Sequence, residues 1–138
     1  MSRREASSAS AMDEPRVFAA LREMAREGPV EVRVAGDCMA PLLADGERVR
    51  VAAARAYWPG DVVVFRAADG RLLAHRLLGY RPHAGGMAFV TRGDACVVHD
   101  APVPPAAVLG RIDAARPALA VRARAVLRFL GLALRRRR

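Results

Sequence analysis

The feature of this sequence that most constrains its fold is a change in the spacing of apolar residues near residue 28. Before that point the apolar residues recur at helical spacing, and they are Val17, Phe18, Leu21, Met24 and Ala25. After it, Val30, Val32 and Val34 alternate with charged residues, which is the period of a half-buried strand. With Asp13 as N-cap and Gly28-Pro29 as the stop, the pattern predicts a short helix over about 14–27 and strands from residue 30.

The strand pattern continues along most of the chain. Further strand-like segments lie at 48–51, 61–66, 71–80, 87–91 and 108–114. Pairs such as Asp45-Gly46 and Gly85-Gly86 separate them and supply the backbone angles that tight turns require. Six short strands with this punctuation predict a mainly β fold, either a coiled antiparallel sheet or a partly open β-barrel.

The length of 138 residues fits one domain, because two independent cores would need a longer chain. Residues 1–12 are small and polar with no periodicity, and we expect them to be disordered. Residues 13–115 are then a single β domain that begins with the helix. Residues 116–138 are an Arg-rich C-terminal helix or tail.

The net charge of +9 is concentrated at the C-terminus. All 23 basic residues are arginine, and 15 of them lie with all 14 acidic residues in 1–115. The other 8 lie in 116–138, which has no acidic residue. A helix over 118–134 would have one apolar arc, interrupted by Arg122 and formed by Leu119, Val126, Leu127, Leu130 and Leu134.

Three interpretations of this C-terminal segment stay open. The helix packs on the domain with a solvated arginine end, it lies on an anionic lipid surface, or it binds nucleic acid. Nucleic acid is disfavoured because no aromatic residue alternates with the arginines to stack on bases. A peripheral membrane contact would use seven of these eight arginines, which are Arg122, Arg124, Arg128, Arg135, Arg136, Arg137 and Arg138.

Signals for secretion and membrane insertion are not found in the sequence. The N-terminal residues are charged and serine-rich, without the apolar core of a secretory signal. No stretch reaches the roughly 20 apolar residues that cross a bilayer. Two cysteines, Cys38 and Cys96, are too few for a disulfide framework. We therefore expect a cytoplasmic protein that is soluble or peripherally attached to a membrane.

Four segments carry residues suited to chemistry. They are Gly36-Asp37-Cys38-Met39-Ala40-Pro41, Gly60-Asp61-Val62-Val63-Val64-Phe65, His75-Arg76-Leu77-Leu78 and Gly93-Asp94-Ala95-Cys96-Val97-Val98-His99-Asp100. In this order they resemble the conserved boxes of the signal peptidase I and LexA-type peptidase superfamily, in its branch with a histidine base. The resemblance covers about residues 34–112. It implies the coiled β fold of that superfamily and a peptidase that cleaves a protein or leader peptide after small residues, with no cofactor.

The resemblance also implies a role for each position. Cys38 stands where the family has its nucleophilic serine, and His75 stands where this branch has its general base. A Ser-Lys dyad is excluded because the chain has no lysine, whereas a histidine can accept the thiol proton and stabilise the thiolate. Asp94 and Asp100 occupy the acidic positions, and we prefer Asp100 as the group that orients the imidazole, with Asp94 as a structural partner. The substrate-binding positions come from the first box and are Gly36, Met39 and Pro41.

Departures from the family's pattern leave other functions open. The nucleophile is a thiol, Leu42 replaces a common threonine, and Ala95 and Cys96 replace two asparagines. A non-catalytic module that keeps the peptidase fold and binds peptide, membrane or nucleic acid is therefore the alternative. A zinc site formed by Cys38, His75, Cys96 and His99 is a lesser alternative. A Cys38–Cys96 disulfide could also switch the activity off.

Overall fold

The computed structural model describes residues 3–112 and 117–136, with side chains from residue 14 onward. The elements in these ranges are α1 (Arg3–Glu27), β1 (Val30–Arg33), β2 (Arg48–Ala52), β3 (Val62–Arg66), β4 (Leu72–His83), β5 (Gly86–Arg92), a 3₁₀ turn (Pro105–Ala107), β6 (Val108–Ile112) and α2 (Leu119–Arg136). The predicted end of the last strand at 113–114 and the predicted boundary at 115/116 lie outside the described residues, as do Arg137 and Arg138.

The six strands form one antiparallel sheet in the order β1-β2-β6-β3-β4-β5. Val63, Val64 and Phe65 of the central strand β3 are all buried, as expected for a strand that is covered on both faces. The alternating valines of β1 and β2 bury one face only. The prediction of a mainly β fold is confirmed.

The first helix begins earlier than the sequence predicts. α1 spans Arg3–Glu27, so it includes most of the segment expected to be disordered, and Asp13 lies inside the helix rather than capping it. Arg, Glu, Ala and Met in this segment have high helix propensity, and this outweighs the serines. Phe18 and Leu21 pack against the core cluster that contains Val32 and Val51.

β4 is the strand that organises the candidate site. It pairs with β3 on one side and with β5 on the other. Successive side chains of a strand point to opposite faces, so His75 shares a face with Leu77 and Arg76 shares the other face with Leu78. Leu77 and Leu78 belong to two separate core clusters, which agrees with this alternation.

α2 packs on the Leu78 face of β4. Ala125 is buried with Leu78, and Phe129 packs against the same cluster. The helix approaches closely because β4 has Gly79 here, where a Cβ atom would lie 2.7 Å from the Phe129 ring. In the described part of the chain, no helix is long and apolar enough to span a membrane.

Arg122, which interrupts the apolar arc of α2, binds a buried residue of the domain. Arg122 Nη1 lies 3.1 Å from Oδ1 of Asp61, which is 3% exposed, and it also donates to the Pro59 carbonyl oxygen at 3.1 Å. A buried carboxylate needs such a partner. The Arg122 guanidinium therefore binds residues of the domain, whereas the sequence suggests a membrane contact for it.

Candidate active site

His75 lies in the N-terminal half of β4 and is 6% exposed. Its backbone is paired with Val63 of β3, and its ring meets Phe65 edge-on at a centroid distance of 5.7 Å. Its Nδ1 atom lies 2.5 Å from Oδ2 of Asp100. Because an ionised carboxylate can only accept hydrogen bonds, this contact places the proton of a neutral imidazole on Nδ1. Nε2 is then the basic nitrogen.

Asp100 is itself held by Thr91, a residue that none of the four boxes contains. The Asp100 N–H donates to the Thr91 carbonyl oxygen at 2.9 Å, and Thr91 Oγ1 donates to Asp100 Oδ2 at 2.7 Å. Thr91 is fully buried, so its hydroxyl requires a partner. The signal for it in the sequence is a hydroxyl residue at the end of an apolar strand, just before the last box.

Cys38 lies in the loop that joins β1 to β2, and this loop is fastened to the sheet. The Ala35 N–H donates to the Leu72 carbonyl oxygen of β4 at 2.9 Å. The Gly36 N–H donates to Asp45 Oδ1 at 2.7 Å, and Gly36 has a φ of +87°, which favours glycine. Cys38 follows in a turn, where it is partly exposed.

The Cys38 turn meets the loop after β5 at Gly93. The Ala95 N–H donates to the Cys38 carbonyl oxygen at 2.8 Å. A Cβ atom on Gly93 would lie 2.5 Å from Cys38 Cβ and 2.9 Å from Cys96 Sγ. No side chain fits there without displacing both cysteines, so glycine is required for the two loops to come together.

Cys96 lies beside Cys38 in the loop that follows β5. We call residues 93–100 the acidic loop, because they include Asp94 and Asp100. The neighbouring Cys38 side chain, followed by burial and by the charge of Asp100, raises the pKa of Cys96 to about 11. Cys96 is therefore a protonated thiol at neutral pH. Cys38 and Cys96 lie side by side at Gly93, and the charge of Asp100 acts on Cys96. We call these three residues the thiol cluster.

Of the predicted catalytic residues, His75 and Asp100 are in direct contact. Among the residues that the structure describes, no hydrogen bond joins Cys38 to His75. Cys96 is the neighbour of Cys38 at Gly93, and Asp100, which binds His75, acts electrostatically on Cys96. The Cys38 thiol and the His75 imidazole are therefore not a preformed hydrogen-bonded pair.

Asp94 binds Arg76, whose side chain lies on the other face of β4. Arg76 donates from Nε and Nη2 to its two carboxylate oxygens at 2.8 and 2.6 Å, and from Nη1 to the Gly60 carbonyl oxygen at 2.7 Å. The hydrogen bonds from Arg76 lower the pKa of Asp94 from its ordinary value. Asp94 therefore fastens the acidic loop to β4, while Asp100 takes the imidazole. A cleft of about 380 Å³ lies between this ion pair and α2.

The three predicted substrate-binding residues differ in their surroundings. Gly36 and Pro41 are exposed on either side of Cys38. Met39 is buried, and its Sδ accepts the Asp94 N–H at 3.3 Å. Met39 therefore supports the acidic loop from inside the protein, and a direct contact between its side chain and substrate does not fit this position.

The side chains do not support the zinc alternative. Across residues 14–112 and 117–136, no group of three or more His, Cys, Asp or Glu residues has the arrangement of a metal site.

Two comparisons with known proteins find no match to this chain. No protein-family model matches the chain, and no curated protein is significantly similar to it. The function is therefore inferred from the geometry of the site and from the four boxes.

Proposed function

We propose that the protein is an endopeptidase of the signal peptidase type, which cleaves a protein or leader peptide with Cys38 as nucleophile and His75 as general base. The observation that carries the proposal is the 2.5 Å contact between His75 Nδ1 and Asp100 Oδ2. A buried imidazole held at Nδ1 by a carboxylate has the tautomer and orientation that a general base requires. The antiparallel sheet is compatible with the coiled β fold of that family.

A purely structural role for His75 explains these contacts less well. A core histidine needs a partner for its N–H, and a backbone carbonyl would suffice. Here the partner is a carboxylate that is fixed in turn by Thr91. Support of this kind around an orienting group is typical of catalytic sites, and Asp100 also belongs to the thiol cluster.

In the first half of the proposed reaction, His75 Nε2 takes the proton of the Cys38 thiol. The thiolate attacks the carbonyl carbon of the scissile bond, and the carbonyl oxygen becomes an oxyanion. The Cys38 N–H donates to no other described residue and is available to this oxyanion. The C–N bond then breaks, the amine leaves with the proton from His75, and a thioester remains on Cys38.

In the second half, water resolves the thioester. His75 Nε2 takes a proton from the water as its oxygen adds to the thioester carbonyl carbon. The C–S bond breaks, the acid product leaves, and the Cys38 sulfur regains the proton from His75. The Asp100 carboxylate keeps its contact with Nδ1 and stabilises the imidazolium in both halves. The thiol and imidazole must approach each other when substrate binds, and catalytic contacts often tighten only in the substrate complex.

Cleavage of a peptide mixture tests the proposal. Peptides with small residues before their central bonds are incubated with the reduced protein, and mass spectrometry identifies the products. We expect Cys38→Ala and His75→Ala each to lower the rate at least about a thousandfold. His83→Ala is the matched control, because His83 is an exposed histidine at the other end of β4, and its rate should equal that of the wild type.

Thermal unfolding of each variant establishes that it is folded. Cleavage by Cys38→Ala and His75→Ala at the wild-type rate would rule out the mechanism. Binding of peptides by the wild-type protein without any cleavage would favour the non-catalytic module instead.

A further inference from the structure

α2 presents an apolar surface that no described residue covers. Its side chains recur every three or four positions, which places them on one side of a helix. We call this surface the α2 stripe, and it consists of Leu119, Ala123, Val126, Leu127, Leu130 and Leu134. Leu119 is 85% exposed, Leu127 is 69% exposed and Leu134 is 65% exposed. This is the apolar arc that the sequence identifies, and it faces away from the domain.

The orientation of the stripe is fixed by contacts that do not involve it. Ala125, Phe129 and Leu132 pack against Leu78 and Val90 of the sheet. Arg122 binds the buried Asp61 carboxylate from the same helix. Rotating the stripe toward the sheet would break both sets of contacts, so the stripe stays exposed while α2 is docked.

A row of arginines borders the stripe. At 100° per residue, Arg124, Arg128 and Arg135 lie together between the stripe and the packed side of the helix. None of them forms a salt bridge with another described residue. Residues 117–136 contain no acidic residue, so the helix combines an exposed apolar side with a positive one. The charges of Arg124 and Arg128 also act on the Asp94 carboxylate, whose pKa they help to lower, and Arg135 extends the row beyond that contact.

We propose that α2 docks the protein on an anionic lipid surface. In this arrangement the α2 stripe enters the boundary of the acyl chains, and the arginine row meets the lipid phosphates. Charge complementarity favours lipid over a second copy of the chain. Two copies joined along the stripe would bring two positive rows together with no acidic residue of α2 to offset them. Nucleic acid would match the arginines but leave the apolar stripe in water.

The position of α2 gives the docking a consequence for the site. Arg124 and Arg128 line the same cleft as Arg76 and Asp94, so a docked helix holds this end of the sheet near the lipid surface. If the proposed peptidase function also holds, its substrates are chains at or near that surface. The docking itself rests on α2 alone and does not depend on the chemistry of Cys38.

Co-sedimentation with vesicles tests the docking. The full chain is mixed with phosphatidylcholine vesicles and with vesicles that also hold about 30 mol% phosphatidylglycerol, at low and high salt. We expect binding to the anionic vesicles only, weaker at high salt. Leu130→Glu should lower the affinity about tenfold or more. Met87→Glu is the matched control, because Met87 is an exposed apolar residue of β5, and its affinity should be unchanged.

A second pair of variants tests the charge. Arg124→Gln with Arg135→Gln, two exposed members of the arginine row, should lower the affinity roughly 30-fold, since each basic side chain near an anionic surface contributes about a factor of five. Arg16→Gln with Arg48→Gln removes the same charge from exposed positions elsewhere and should change it by less than about twofold.

Several outcomes would overturn the docking proposal. They are wild-type affinity in Leu130→Glu, equal losses in the two arginine pairs, and no vesicle binding by the wild type. Binding of RNA in place of vesicles would also overturn it, as would a dimer that Leu130→Glu dissociates. Each of these outcomes is independent of peptide cleavage, so failure of the docking and failure of the peptidase proposal are distinguishable.

Discussion

Asp94 and Asp100 lie in one loop and have the same functional group, but they bind side chains on opposite faces of β4. Asp100 contacts the His75 ring at 2.5 Å, and Asp94 accepts two hydrogen bonds from Arg76. His75 and Arg76 are adjacent in the chain, and strand alternation sends their side chains to opposite sides. The partner on β4, rather than the carboxylate itself, therefore decides whether the loop orients a base or fastens to the strand.

The two contacts differ in what they hold in place. The Arg76 guanidinium joins Asp94 to the Gly60 carbonyl oxygen, so it ties two loops to the strand. Asp100 joins His75 to Thr91, so it fixes one ring within the core. Loss of the Asp94 contact should therefore affect stability most, and loss of the Asp100 contact should affect chemistry most.

The largest expected effect is that of Asp100→Asn on activity. An amide can present its N–H to Nδ1 and favour the wrong tautomer of His75, so we expect the cleavage rate to fall about 10³- to 10⁴-fold. Peptide cleavage measures the loss of activity, and thermal unfolding measures any loss of stability separately. Cleavage at more than about a tenth of the wild-type rate would mean that Asp100 does not orient the base.

Gly93→Ala tests the contact between the two loops. The new Cβ would overlap Cys38 Cβ and Cys96 Sγ, and we expect a loss of about 1–3 kcal/mol in the free energy of unfolding together with reduced cleavage. Gly86→Ala is the control, because no atom lies within 4 Å of its added Cβ. Denaturant unfolding compares them, and equal stability of the two variants would contradict the close approach at Gly93.

Arg76→Gln tests the fastening role of Asp94. We expect a loss of about 1–2 kcal/mol in the free energy of unfolding at neutral pH and a smaller effect on cleavage than that of Asp100→Asn. The pKa of Asp94 is lowered in the folded protein from the ordinary value of 3.8. Its ion pair therefore stabilises the fold above that value and is lost as pH falls through the lower, folded pKa.

The pH dependence provides the check on this prediction. The stability difference between wild type and Arg76→Gln should be full from about pH 5 to pH 7 and should shrink below about pH 4. Unfolding curves at a series of pH values measure it. A difference that is constant down to the acid range would mean that the lost stability does not come from the Asp94 ion pair.

The smallest expected effect concerns Cys96, which lies between the two carboxylates in the same loop. Because its pKa is raised to about 11, little thiolate is present at pH 8, and only the thiolate reacts with iodoacetamide. Peptide mapping should show slow modification that rises about tenfold per pH unit up to pH 10. Rapid modification of Cys96 at pH 8, with a rate that does not change with pH, would contradict the raised pKa of this thiol.

Local patterns predict much of the sheet, because alternating valines and glycine-containing turns act over short distances. They do not show which of Asp94 and Asp100 meets His75, since this depends on how the last loop folds back on β4. Nor do they identify Thr91, whose role requires Asp100 to return to the end of β5. The buried position of Met39 likewise depends on contact with a loop distant in sequence.

The C-terminal helix α2 also depends on contacts that its local sequence does not predict. Its apolar arc is visible in the sequence, but the packed side is chosen by Phe129 against Gly79 and by Arg122 against Asp61. Both are contacts between distant parts of the chain. A pattern of apolar residues therefore predicts that α2 is amphipathic without predicting which of its sides meets the sheet.

The central claim is that His75 acts on the thiol of Cys38, and the most direct test is the rate of Cys38 alkylation by iodoacetamide at pH 7. A Cys96→Ser background leaves Cys38 as the one thiol. We expect His75→Ala to lower the rate about tenfold or more, because the imidazole no longer takes up the proton and stabilises the thiolate, while His83→Ala leaves it unchanged. Equal rates in the background protein and in His75→Ala would contradict the account.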